Sequence, residues 1–310
     1  CDWSSDVCSS DLGLMRPLIA QLRAEVTMIA TNGETLFLTL GIPVVFLVFF
    51  SGVHVLPTGV HHPVDFLVPG ILALAVMATA MTALSIGTGF ERGYGVLKRL
   101  GTTPLGRPRL LAAKILAVLG VELVQAAVLV AVGWALGWHP GGPGGSACVG
   151  WAVAAMALGT VAFGGIGLLL AGLLKPLVNL AVVNALFVVL LLLGGMLVPL
   201  DKLPGWLAGL SRVLPAAALA DALHLALGRG RPPTGSEWAV LVVWAVAAPL
   251  AAAATFGIVG TLYEVLPVGR RGATWGMRRF GLRIVDHRAD RPIGVPRAAL
   301  RLFCRIYVST

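Results

Sequence analysis

Charge is scarce in this sequence, and that scarcity decides the class of protein. Asp, Glu, Lys and Arg make up 12% of the 310 residues, about half of the roughly 25% that a soluble domain carries. Apolar residues make up 57%, so a water-soluble globule is excluded and an all-α integral membrane protein is expected. Cysteine is scarce too. Of Cys1, Cys8, Cys148 and Cys304, the last two stand alone, one at the start of an apolar run and one in a basic tail, which offers neither a disulfide framework nor metal-ligand spacing. The chain has no GxxxxGK[ST] phosphate loop, and GFERGYG at Gly89 to Gly95 lacks the lysine and the hydroxyl that follows it. Work driven by nucleotide therefore requires hydrolysis in another chain. Absent as well are a GxSxG elbow, a carboxylate pair within an apolar run and any internal repeat, which argues against a hydrolase and against an inverted-repeat transporter. His54, His61 and His62 cluster with only Asp65 nearby, too few ligands for a metal site.

The first twelve residues, CDWSSDVCSSDL, resemble the translated read-through of a sequencing-library adapter and are expected to be non-native. They have no apolar core or small-residue cleavage site to make a signal peptide. Without them three aspartates go and the formal charge rises from +9 to +12. The basic residues lie in short segments between apolar runs and in the tail. That distribution fits membrane topology rather than nucleic acid.

A bilayer-crossing helix needs about 20 mostly apolar residues, and six runs supply them: Leu36 to Val55, Phe66 to Gly89, Leu110 to Gly137, Val149 to Leu174, Leu177 to Leu200 and Trp238 to Leu262. Before them, residues 13–35 carry Leu18, Ile19, Leu22, Val26 and Ile29 at helical spacing, with Arg23, Glu25 and Asn32 on other faces. That pattern predicts an interfacial helix lying along the membrane surface. Residues 36–262 then form a six-span domain, and residues 263–310 a basic tail with ten arginines, whose origin is open between a natural extension and out-of-frame translation.

Lys and Arg set the orientation. The loops at Ser51 to Asp65 and Trp138 to Cys148 contain neither, whereas Phe90 to Lys114 contains six. Both termini are therefore expected inside the cell, in the inner (plasma) membrane. Asp201 to Glu237 strains the rule, since it must lie outside yet holds Lys202, Arg212, Arg229 and Arg231. Its apolar pattern, broken at Pro215, predicts two short outer re-entrant helices, each too short to cross. The fourth run, with Gly150, Gly159, Gly164, Gly165, Gly167 and Gly172, should pack closely against its neighbours.

Read from composition alone, Phe90 to Lys114 is a solvated positive-inside loop. A second reading comes from the order of parts. A surface helix, FLVPGILALAVMA with Pro69-Gly70 opening the second run, ERGYGVLKRLGTTPLGRPRLLAAK after it, and GGMLVPLDKLPGWLAGLSRVLPAAALADAL after the fifth run together resemble the permease subunit of type-2 ATP-binding-cassette transporters, exporters of drugs, lipids and polysaccharides. The resemblance covers about Arg16 to Leu262. It implies a cytoplasmic coupling segment built from Glu91, Arg92, Gly93, Leu97, Lys98, Arg99, Leu100 and Pro104. There Glu91 and the basic set pair with an ATPase subunit and with anionic lipid, Leu97 and Leu100 give a small apolar face, and Pro104 caps the element. Gly93 stands where the family usually has a second acid. The implied partners are that ATPase subunit, which would hold ATP and Mg, a second permease subunit (identical or not) and membrane lipid. No cofactor and no catalytic residue is expected in this chain.

Within the runs the polar outliers are Glu122, with Gln125 one turn on, and Asn179 and Asn184. A carboxylate in hydrocarbon must face other helices or a cavity. Thr79, Thr82, Ser85, Asn179 and Asn184 are its candidate partners. A structural hydrogen bond and a role in the substrate path or in proton handling both remain open. The latter would suit an ion-coupled secondary transporter. A third class, a membrane enzyme acting on lipid-linked substrates, usually shows paired acids or histidines at a membrane edge.

Overall fold

The computed structural model describes residues 19, 22–27, 31, 33–52, 63–94, 106–141, 147–197, 204–233, 235–271, 295–296 and 298. Among them every regular element is helical: α1 (Gly33–Gly52), α2 (Pro63–Met77), a π-helical turn (Ala78–Ala83), α3 (Leu84–Gly93), α4 (Gly106–Ala135), α5 (Val149–Leu173), α6 (Pro176–Leu193), α7 (Gly205–Ser211), α8 (Pro215–Leu223) with a second π turn (His224–Gly228), and α9 (Gly235–Arg271). Two compact units are formed, Cys1–Ala251 and Ala252–Thr310.

Hydrocarbon offers no partner for a free N–H or C=O, so apolar runs of this length close their hydrogen bonds within a helix. Five helices are long and apolar enough to cross a membrane: Pro63–Gly93, Ala112–Ala135, Val149–Leu173, Pro176–Leu193 and Gly235–Phe256. The chain is accordingly a multi-pass membrane protein. The pair α7 and α8 with its π turn would make a sixth, but it is bent by 86°, and the apolar stretch of α1, Thr39–Gly52, is shorter. The first expected run thus begins a helix at Gly33 and ends it at Gly52, the remainder lying outside the described residues. The fifth stops at Leu193 rather than Leu200, because the chain turns through Gly194 and Gly195, the latter in the left-handed region at φ 66° that suits glycine.

That turn explains the Pro-Gly pair. The second span is the innermost, 78% of its apolar window buried against 17% for α6, and a Cβ on Gly70 would come within 1.9 Å of the Met196 carbonyl oxygen. Only glycine lets the turn after α6 close onto the second span. Gly159, Gly165 and Gly167 of α5 act likewise, a Cβ on Gly167 lying 2.7 Å from the Met81 carbonyl oxygen in the π turn, whereas Gly150, also expected to pack closely, would have nothing within 4 Å of its Cβ. Half of α5's window is buried in this way.

The expected break at Pro215 is present. Leu214 is extended and Pro215 opens α8, where its missing N–H costs nothing. The two short helices have different surroundings: α8 is buried almost throughout, whereas on α7 Trp206 is 75% exposed. At that end of the bundle the His224 ring lies 4.4 Å from the Phe66 ring, and its Nε2 is 3.0 Å from the Phe66 carbonyl oxygen.

Candidate functional site

At the other end of the second span, α3 closes on Glu91, Arg92 and Gly93. Consecutive helical residues point about 100° apart, so these three address three different neighbours. Glu91 meets the start of α4: the Lys114 ammonium donates to its Oε1 at 2.8 Å. Lys114 is 4% exposed and also lies 2.9 Å from Glu25 Oε1, in the helical stretch 22–27. A buried ammonium costs several kcal/mol unless it is paired. Here two carboxylates surround it, which leaves the trio with one net negative charge.

Arg92 turns to α5. Its guanidinium donates to the carbonyl oxygens of Gly172 and Leu174, which are among the acceptors that a helix C-terminus leaves without partners. A positive group is also favoured there by the helix dipole. Gly93 faces the start of α6, where Leu174 and Lys175 are extended and Pro176 begins the helix. A Cβ on Gly93 would stand 2.7 Å from Pro176 Cγ. One turn of helix thereby holds the ends of α4, α5 and α6 together with the stretch 22–27. A further lock sits about two turns deeper: Ser85 Oγ donates to Asn179 Oδ1 at 3.1 Å, and Asn179 Nδ2 donates to the Ser85 carbonyl at 3.0 Å. Both residues are fully buried.

A second polar group lies deeper still. Glu122 and Gln125, each 2% exposed, point inward from α4. Thr160 of α5 donates to Glu122 Oε2, while Oε1 has no hydrogen-bond partner among the described residues. Gln125 joins two other elements, donating to the Thr39 carbonyl of α1 at 2.6 Å and accepting from Thr79 of the π turn at 3.3 Å.

The family described as ABC-2 type transporter matches residues 15–227. The chain belongs to this family. The match runs from before the stretch 22–27 through α8 and its π turn, so the clamp at Glu91 and the buried polar group fall inside it, and α9 follows it. Among curated proteins none matches the chain. Its family makes the chain a transporter permease rather than a catalytic domain.

Sequence reasoning placed the permease's polar residues correctly in their helices but misjudged several neighbours. Glu91 and Arg92 were expected to turn outwards to a partner, yet both are committed within the chain, because Lys114 and the bare carbonyls ending α5 each need a counterpart. Leu97, Lys98, Arg99, Leu100 and Pro104 lie outside the described residues, as do His54, His61 and His62. Glu122 bonds to none of its expected partners. Thr79 serves Gln125, Ser85 and Asn179 serve each other, Thr82 Oγ1 has no hydrogen-bond partner among the described residues, and Asn184 is exposed with its amide on the Leu180 carbonyl of its own helix at 2.9 Å. The true partner carried a signal, since Thr160 is the lone polar side chain in α5. Glu25, on a different face from the apolar residues of its helix, is the inward residue of its turn, while Ile19 and Val26 are exposed.

Proposed function

We infer that this permease is the membrane half of an ATP-driven exporter, moving a hydrophobic or amphipathic substrate such as a drug, a lipid or a lipid-linked glycan. The energy comes from a separate ATPase subunit that holds ATP and Mg, and two permeases with two such subunits form the transporter. The observation that carries this reading is the family match over residues 15–227. α1 serves as the sixth span, α7 and α8 are re-entrant from the outer face, and the stretch 22–27 belongs to a surface helix. The Glu91 end faces the cytoplasm of the inner membrane, because six basic residues lie between Phe90 and Lys114 and such loops stay inside. Both termini are then cytoplasmic. The segment after Gly93 is the coupling element, and its base is the turn at Glu91, Arg92 and Gly93 that meets α4, α5 and α6.

Glu122 is buried, with Thr160 of α5 donating to it, which supports a structural role. The experiment is reconstitution with a candidate ATPase subunit. Co-purification and ATP-driven uptake of substrate into inverted vesicles, persisting when the proton gradient is collapsed, are the expected results. Transport that follows the gradient and ignores ATP would replace this reading with a proton-coupled one centred on Glu122.

A further inference from the structure

We propose that Lys114 is a positioning residue for coupling, tying the surface helix to the base of the coupling segment so that both move as one body. The proposal rests on the reading of the chain as an ATPase-linked permease. Lys114 is buried at the start of α4 with its ammonium 2.8 Å from Glu91 Oε1 and 2.9 Å from Glu25 Oε1. The two carboxylates come from elements that are far apart in sequence, one ending the second span and one preceding the first.

Packing alone does not explain a lysine here. Three apolar side chains of similar volume would fill the same space, and buried ion pairs or triads replaced whole by well-packed apolar groups commonly lose no stability. What the ammonium adds is direction, because it holds two acids at fixed positions that otherwise repel each other. The trio is also incomplete on its far side: Glu91 Oε2 is buried with no hydrogen-bond partner among the described residues, so the Lys114 contact is what anchors the carboxylate. Arg92, next along the same turn, holds the carbonyls that end α5. A push on the segment after Gly93 therefore reaches α5 through Arg92, and reaches α4 and the surface helix through Lys114. Without Lys114 the tie between Glu25 and Glu91 is lost, and a push on the segment no longer reaches the surface helix by this contact.

The test uses the full chain with its ATPase in vesicles, and reads substrate moved per ATP hydrolysed, beside melting temperature and the amount of ATPase retained. Lys114→Met keeps the apolar stem and removes the charge. It is expected to retain the ATPase yet lower the transport-to-hydrolysis ratio about fivefold or more, the usual scale of a coupling effect, while Lys114→Arg, whose fork serves two carboxylates, restores it. Should Lys114→Met fail to insert, Glu25→Lys takes its place, since it leaves the spans intact, sets a second cation against Lys114 and is expected to lower the same ratio. A wild-type ratio in whichever of these two inserts overturns the positioning role while leaving the exporter reading standing. A wild-type chain that neither retains the ATPase nor transports with ATP takes both down.

Discussion

Replacing Arg92 with methionine isolates what its guanidinium does for α5. The side chain donates to two carbonyl oxygens, Gly172 and Leu174, that no turn of helix satisfies. A hydrogen bond with one charged partner contributes about 1.5–3 kcal/mol, but Arg92 is only half-buried and water replaces part of what is lost. The lower end of that range for each bond gives a destabilisation of about 3 kcal/mol at most for Arg92→Met. Arg92→Lys should lose about half as much, because an ammonium on a shorter stem reaches one carbonyl and lacks the fork that spans two. The measurement is thermal unfolding of the detergent-solubilised permease, followed by tryptophan fluorescence, with both variants at matched expression. An Arg92→Met protein that melts with the wild type would show that the carbonyls are satisfied by water and that Arg92 is not a cap. Equal losses for Met and Lys would show that the second bond adds nothing.

Gly70→Val should prevent accumulation of folded permease, since even a Cβ there meets the Met196 carbonyl oxygen at 1.9 Å; normal yield with a wild-type melting curve would refute the close approach. Glu122→Gln keeps an acceptor for Thr160 and should transport with ATP. Glu122→Leu should cost about 0.6–1.7 kcal/mol, the range measured for hydrogen bonds between membrane helices, in the same unfolding assay. A dead but well-folded Glu122→Gln would instead point to titration at that position. A cysteine in place of Tyr94, which is 79% exposed, should react with impermeant maleimide only from the cytoplasmic face, and one in place of Gly209 only from outside; the reverse pattern would invert the topology.

Helices were legible in the sequence because hydrocarbon imposes their length and composition, and their ends were legible at Pro176, Pro215 and the glycines. Contacts were harder to read for a geometric reason. Spans that are apolar all round carry no marked face, so the sequence does not show which side of α4 meets α5. Asn179 and Asn184 differ by five residues and so point about 140° apart; one is buried against Ser85 and the other faces out. Glu122 and Gln125 lie on the same side of α4, about 60° apart, yet meet different helices. Glu25 stands apart from the apolar residues of its surface helix in the sequence pattern, but the lysine it turns to, Lys114, comes from a distant helix that spacing within one helix does not show. The segment string from Glu91 to Gly93 was recognisable, but its triple engagement needed the three-dimensional positions of Lys114, Gly172 and Pro176.

The second span is held at both ends, and this makes its π turn testable by deletion. Near one end Gly70 lies under Met196 and the Phe66 carbonyl faces His224; at the other, Glu91, Arg92 and Gly93 each have a fixed neighbour. Between them, Ala78–Ala83 is wound with five-residue hydrogen-bond rings, each holding one residue more than an α turn. Removing one residue from that turn lets it relax to α-helix while the flanking halves keep their facing. Removing one from a regular α stretch rotates everything beyond it by about 100°. Ala83 and Gly87 are both small and exposed, so their deletions differ chiefly in this respect. Deletion of Ala83 should leave a folded permease that melts near the wild type, and deletion of Gly87 should swing Glu91 away from Lys114, Arg92 away from the end of α5 and Gly93 away from Pro176, with loss of ATPase retention. If both deletions are tolerated alike, the turn at Glu91 is not held in register and the clamp is a set of adaptable surface contacts. If both fail alike, the π turn is itself required, and its wide ring rather than the register of its flanks is what the permease depends on.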